Sequence, residues 1–92
     1  NLRANLSPEE RLAYAMELFE KGKYHDAKNQ FKIITLSHSG NVIADRAQFY
    51  LAECHYQLKE YILSANEYDR LMKIYPNSEY VDDAKFKIVL SY

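Results

Sequence analysis

The chain has 92 residues, and twelve Lys and Arg against thirteen Asp and Glu give it a formal net charge of −1. This length suits one small domain, and the balanced charge, without a basic stripe, provides no electrostatic footprint for nucleic acid. Two glycines and two prolines are few for a sheet with many tight turns, and one cysteine excludes an internal disulfide. No run of residues approaches the ~18 apolar positions that a membrane span needs. We therefore predict an all-α fold.

Capping and turn residues predict the helix boundaries in chain order. Ser7 is followed by Pro8 and then by Glu10, which is the pattern of a capping box at a helix start. Gly22 ends the apolar periodicity of this first helix, and Lys21 lies in its last turn, where a positive charge is favourable. Further helices are predicted at about 24–36, 42–58 and 61–75, and a fifth begins near residue 79.

The sequence also repeats itself at a spacing of 37 residues. Large residues align with large ones and small with small: Leu12 with Phe49, Ala15 with Ala52, Tyr24 with Tyr61, Phe31 with Tyr68, and Ile34 with Leu71. A repeated helix pair predicts an α-solenoid, in which each unit buries its apolar face against the next. The predicted single domain, 1–92, contains one unit at about 8–40, a second at about 42–77 and the first helix of a third at about 79–92. It therefore holds about two and a half units and five helices.

With these motifs the chain resembles the tetratricopeptide repeat (TPR) family, whose usual unit is about 34 residues. The residues that carry the resemblance are Gly22, Tyr24 and Ala27 of the second-helix signature, the small residues Ala15 and Ala52 of the first helix, and the closing Pro76. The small residues are expected where two helices approach closely. Two positions depart from the family pattern: Lys59 replaces the glycine in the second unit, and Ser39 stands where the first unit should have its proline.

A narrower resemblance lies in the segment YPNSEYVDDAKFKIVLSY, which is similar to a sequence motif of bacterial envelope TPR proteins. Among these proteins it most resembles the BamD family of outer-membrane assembly lipoproteins. The resemblance implies a periplasmic location at the outer membrane, and binding to β-barrel assembly machinery subunits and to unfolded outer-membrane protein peptides. The chain begins without Met and ends inside an apolar pattern, so we expect a fragment. The resemblance implies a lipid-anchored cysteine, which would lie upstream of Asn1. Alternatives are the periplasmic TPR domain of a Tol–Pal cell-division coordinator and a generic TPR scaffold.

Candidate catalytic residues are few. Cys54 and His55 are adjacent, and neighbours on a helix point about 100° apart, so the pair does not converge as a nucleophile or a metal site requires. Packing explains both residues, since a free cysteine is often simply buried. The acidic pair Asp82 and Asp83 at a helix start is explained by the helix dipole. No phosphate loop or nucleophile elbow occurs. We therefore predict a protein that is not an enzyme and uses no cofactor or metal.

The TPR resemblance implies a concave groove lined by the first helix of each unit. Carried over residue by residue, the candidate peptide- or partner-binding positions are Leu12, Met16, Phe19, Arg46, Phe49, Glu53, Tyr56 and Phe86. Such an apolar, aromatic groove suits an extended peptide or a partner helix. We expect Phe49 and Tyr56 to contact the client and Arg46 to pair with a terminal carboxylate.

Overall fold

The computed structural model describes residues 5–92, so the first four residues of the predicted domain lie outside it. Within this range the chain forms five α-helices and no strand, which confirms the all-α prediction. The helices are α1 (Pro8–Glu20), α2 (Tyr24–Ser37), α3 (Ala44–Gln57), α4 (Tyr61–Ile74) and α5 (Val81–Ser91). Helices α3 and α5 begin two residues later than predicted. Before α3 a turn intervenes, in which the side chain of Asn41 accepts a hydrogen bond from the Ile43 N–H at 3.0 Å.

The first helix begins with the predicted capping box. The Glu10 N–H donates to Ser7 Oγ at 3.1 Å, and the Ser7 N–H donates to Glu10 Oε1 at 2.9 Å. Pro8 occupies the start of the helix, where its missing N–H costs no hydrogen bond. The backbone hydrogen bond to Ser7 lowers the pKa of the Glu10 carboxyl. This local chemistry confirms the boundary that the sequence predicts.

Helices α1 and α3 end in the same Schellman turn. At the end of α1 the Lys23 N–H donates to the Leu18 carbonyl at 2.9 Å, and Gly22 takes a φ of 77°. At the end of α3 the Glu60 N–H donates to the His55 carbonyl at 2.9 Å, and Lys59 takes a φ of 63°. Lys59 therefore adopts the left-handed conformation that the missing glycine would have adopted.

The spacing of 37 residues is present in the backbone. Helices α2 and α4 begin at residues 24 and 61 and end at residues 37 and 74, so both ends differ by 37; α3 and α5 begin at residues 44 and 81, again 37 apart. The turns before α3 and α5 also match. In the first turn the backbone N–H groups of residues 41 and 44 donate to the carbonyls of residues 38 and 41, and in the second those of residues 78 and 81 donate to the carbonyls of residues 75 and 78. Two segments with different sequences thus form the same helix–turn–helix geometry.

Each helix packs chiefly against the next one along the chain, from α1 with α2 through to α4 with α5. The described residues extend over 39 × 27 × 17 Å. One core cluster joins α1, α2 and α3 around Leu18, Phe31 and Leu51, and a second joins α3, α4 and α5 around Phe49 and Tyr68. Tyr50 packs against both clusters, so α3 is the helix that links the two halves of the core.

Candidate functional site

The adjacent residues Cys54 and His55 lie in different surroundings on α3. Cys54 is fully buried in the first core cluster, and this burial raises the pKa of its thiol to about 12. The His55 side chain is turned toward the α3–α4 turn, where its Nδ1 lies 2.8 Å from Glu60 Oε1. Cys54 is thus a neutral thiol packed among apolar side chains of the first core cluster, while His55 makes its polar contact with Glu60.

Glu60 also receives the ammonium group of Lys28 from α2, with Nζ 3.5 Å from Oε1. The hydrogen bond from His55, with further help from Lys28, lowers the pKa of the Glu60 carboxyl although partial burial opposes the shift. This three-residue network ties α2 and the end of α3 to the turn before α4. Its partners are satisfied by one another, which fits a structural connection.

Two of the predicted groove residues lie in the core. Leu12 is 7% exposed and Phe49 is 6% exposed. Phe49 is covered by Tyr80, whose ring stacks on it with centroids 4.7 Å apart, and it also packs against Tyr68. Side chains with so little free surface can support a binding surface but have little area of their own to offer a ligand. The structure therefore places Phe49 beneath the surface where a client anchor was expected.

The remaining predicted residues are at least partly exposed. Met16, Phe19, Glu53 and Tyr56 are half-buried, Arg46 is exposed, and Phe86 is 65% exposed on α5. Phe19 meets a residue that was not predicted, Tyr50, edge to face at 5.3 Å, and Tyr50 in turn meets Tyr80 at 6.2 Å. We call the half-buried rings of Phe19, Tyr50 and Tyr80 the aromatic row. It runs from α1 across α3 to the residue that precedes α5.

A charged cluster, formed by Glu53, Tyr56 and Lys87, lies beside the aromatic row between α3 and α5. Lys87 Nζ is 3.3 Å from Glu53 Oε2 and 4.5 Å from the centroid of the Tyr56 ring, a cation–π geometry. The same carboxylate accepts the hydroxyl of Tyr68 from α4. Burial, and then this hydrogen bond, raise the pKa of Tyr68, so its hydroxyl stays a donor. The cluster holds three helices together while keeping a charged edge at the surface.

Arg46, Tyr50 and Glu53 follow one side of α3, since residues three and four apart on a helix are neighbours. The charge of Arg46 also reaches Tyr80: burial raises the pKa of the Tyr80 phenol, and Arg46 opposes that rise. Arg46 and Glu53 lie about one turn before and one turn after Tyr50 on α3, so a cationic residue and the charged cluster flank the middle ring of the aromatic row. This composite surface can bind a chain through ring contacts and through a carboxylate.

The sequence reasoning missed Tyr50, Tyr80 and Lys87. Tyr50 and Lys87 occupy the same repeat position, which holds Ala13 in the first unit, so the repeat comparison provided no common residue type. Tyr80 lies outside the helices in the turn before α5. The available signal was the high tyrosine content, nine in 92 residues, which exceeds what the predicted core positions use.

Within residues 5–92 no group of three or more His, Cys, Asp or Glu side chains is arranged to hold a metal ion. None of the helices in this range combines the length and the apolar character needed to cross a membrane. A scan against protein-family models finds no match for this chain, and a search of curated proteins finds none either.

Proposed function

We propose that this chain is a non-catalytic protein-binding module built from TPR helix pairs, about two and a half units long, in a BamD-like outer-membrane lipoprotein. In this proposal it acts at the periplasmic face of the outer membrane in the assembly and insertion of β-barrel proteins. Its partners are unfolded outer-membrane protein peptides and subunits of the assembly machinery, and it meets the membrane only through a lipid anchor upstream of Asn1. The observation that carries the binding role is the aromatic row, with the exposed Arg46 one helical turn from Tyr50 on α3.

The assignment to TPR helix pairs is supported by the recurrence of helix ends and turn hydrogen bonds at 37 residues. It is supported further by packing between consecutive helices, which is the contact pattern of a repeat array. Ala15 and Ala52, the small residues of the family signature, are both fully buried. At Ala52 the carbonyl oxygen accepts the Ser64 hydroxyl of α4 at 3.0 Å, which is the close helix approach that a small residue permits.

The ligand that suits this surface is an extended peptide with aromatic side chains and a free carboxyl terminus. Half-buried rings provide flat apolar area at low entropic cost, and aromatic residues are the commonest anchors in protein interfaces. Arg46 is exposed and can form a bidentate pair with a carboxylate. Because Phe49 lies in the core, we assign the central ring contact to Tyr50, with Tyr56 on the flank.

The test is a titration of two fluorescent peptides that end in an aromatic residue, one with a free carboxylate and one amidated. Replacing Tyr50 by Leu keeps an apolar side chain but removes the ring, and should weaken the binding of both peptides by ~2 kcal/mol, about 30-fold in affinity. Arg46→Ala should weaken only the binding of the peptide with the free carboxylate, by less than ~1 kcal/mol, because an exposed ion pair contributes little. The matched control is Arg70→Ala, which removes an exposed arginine from α4.

Circular dichroism must show that each variant keeps its helicity. If both peptides bind the folded Tyr50→Leu variant as tightly as the parent, the aromatic row is not the binding site. If a peptide without aromatic residues binds the parent equally well, the surface does not select aromatic clients and the proposed function fails.

A further inference from the structure

The two turns that precede α3 and α5 border a cavity of about 400 Å³. The Tyr75 hydroxyl joins the turns across this cavity, because it donates to the Ser39 carbonyl at 2.7 Å. A second connection runs from Ser78 Oγ to Asp45 Oδ2 at 2.6 Å. Two hydrogen bonds between the turns hold the cavity open in a defined shape. Its volume lies at the small end of the range for ligand sites, which suits one side chain better than a large cofactor.

Two walls of the cavity are apolar although the repeat does not require apolar residues there. Val42 is 88% exposed and Ile74 is 53% exposed, and both side chains line the cavity. The residues 37 positions away are Glu79 and Ser37, which are polar and exposed. Packing of the helices therefore does not explain Val42 and Ile74. Their free surface suits the aliphatic part of a ligand.

The cavity also has a negative charge. Of the described residues that line it, only Asp45 carries a formal charge. The half-buried carboxylate of Asp45 accepts from two neutral donors, the Ser78 hydroxyl and the Arg46 backbone N–H at 2.8 Å. Within residues 5–92 no Lys, Arg or His side chain forms an ion pair with it. Asp45 is thus a carboxylate that a cationic ligand can neutralise.

Tyr75 adds an aromatic ring to the same cavity. Burial raises the pKa of the Tyr75 phenol, and the charge of Asp45 adds to this rise, so the hydroxyl stays a donor to the Ser39 carbonyl. A ring beside a carboxylate suits a guanidinium, which stacks on aromatic faces and donates through N–H groups in a planar fork. A lysine ammonium is a compact and strongly hydrated charge, so it gains less from these two groups.

We propose that this cavity binds the arginine side chain of a partner protein. The guanidinium donates to Asp45 and lies against the Tyr75 ring, while its aliphatic stem covers Val42 and Ile74. The occupant is a protein residue and not free arginine, because the described residues that line the cavity include no cation to pair with the carboxylate of an amino acid. The site goes beyond the proposed function, since it shares no residue with the aromatic row and recognises a cation where Arg46 recognises a carboxylate.

The probes are two capped tripeptides, acetyl-Gly-Arg-Gly-amide and the same peptide with citrulline, which keeps the shape of arginine but has no charge. Titrated into isotopically labelled chain, the arginine peptide should cause saturable amide shifts at Gly40, Asp45 and Ser78. We expect a Kd on the order of 1–10 mM, as a ligand of this size allows. The citrulline peptide should bind about tenfold more weakly, because a hydrogen bond between charged groups is stronger than one between a charged and a neutral group. Equal binding of the two peptides, or no saturation up to about 50 mM, would overturn the proposal.

Three variants assign this preference to residues. Asp45→Asn keeps an oxygen that can accept from Ser78 but removes the charge, so the preference for arginine over citrulline should fall to about twofold or less. The matched control is Asp82→Asn, which removes an exposed carboxylate from the same repeat position in the first turn of α5, outside the cavity, and should leave the preference unchanged. Ile74→Ser introduces the residue found at Ser37 and should weaken the binding of both peptides equally, by about threefold, because it removes apolar surface only.

Circular dichroism must show that the variants keep their helicity. If the folded Asp45→Asn variant still prefers arginine tenfold, Asp45 does not bind the guanidinium and the proposal fails. Tighter binding of free L-arginine than of the capped peptide, or equal binding of a lysine peptide, would also overturn the stated occupant. Tyr50→Leu, in the aromatic row, should leave all these affinities unchanged, so this site and the proposed function can fail separately.

Discussion

Replacing Ala52 by Leu tests whether α3 and α4 touch as closely as the structure indicates. The Ala52 side chain is fully buried in the second core cluster, beside Phe49 and Tyr68. Its carbonyl oxygen accepts the Ser64 hydroxyl at 3.0 Å, so the α4 backbone lies directly across from it. A leucine here has no free volume to occupy and must push the two helices apart or adopt a strained rotamer.

Overpacking of this kind costs typically ~1–3 kcal/mol. The whole chain of 92 residues has a stability of about 5–14 kcal/mol at typical values per residue, so the loss is a substantial fraction. Each kcal/mol lowers the melting temperature of a domain of this size by about 4–8 °C, so a loss of ~2 kcal/mol should lower it by about 10 °C. Thermal unfolding followed by circular dichroism at 222 nm measures the change.

The chain contains its own control at the same repeat position. Val89 is the counterpart of Ala52 on α5 and is 73% exposed, so Val89→Leu should change the stability by less than ~0.5 kcal/mol. Ala15→Leu, at the buried counterpart in α1, should behave like Ala52→Leu. If Ala52→Leu melts at the same temperature as Val89→Leu, the close approach of α3 and α4 is wrong.

Further predictions concern four residues: the backbone at Lys59 and Gly22, the carboxyl of Glu60 and the thiol of Cys54. Lys59→Gly should increase the free energy of unfolding by up to about 1 kcal/mol, and so raise the melting temperature, because it relieves a left-handed backbone. Gly22→Ala should decrease the free energy of unfolding by a similar amount. The new Cβ meets no atom within 4 Å, so only the positive φ of residue 22 opposes this substitution. The folded-state pKa of Glu60 is lowered, so its stabilising effect is present above the unfolded pKa and is lost as the pH falls through the folded value. Thermal melts of Glu60→Gln should therefore differ from the parent above the unfolded pKa of a glutamate, about 4.3, and converge with it as the pH falls below that value. A difference that stays constant with pH would contradict this. Cys54 is fully buried, and burial raises the pKa of its thiol, so it should react with iodoacetamide only as fast as the chain unfolds. If the thiol is labelled as fast in native buffer as in urea, Cys54 is not buried.

Much of the helical architecture could be predicted from the sequence because its causes are local. The capping box of Ser7 and Glu10 needs only residues three apart, and Gly22 ends α1 through its own backbone freedom. The spacing of 37 residues is a property of the residue order, and it recurs in the helix ends. Even so, α3 and α5 begin later than predicted, because side chains in the preceding turns accept backbone hydrogen bonds there.

The surface could not be predicted in the same way, because exposure depends on residues far away in the chain. Phe49 and Phe86 occupy the same repeat position but differ in exposure. The rings of Tyr68 and Tyr80 cover Phe49, whereas no residue in the described range covers Phe86 to the same extent. Tyr50 has no aromatic counterpart in the repeat, and it becomes central only when Phe19 and Tyr80 pack against it.

The sequence by itself therefore determined where the helices form, which positions repeat and which residues are small enough for close packing, since these depend on backbone preferences and local side-chain chemistry. Only the tertiary structure decided which aromatic rings are core and which form a surface. Burial is set by the neighbours that a fold brings together, and here those neighbours lie up to 31 residues apart, as Phe49 and Tyr80 do.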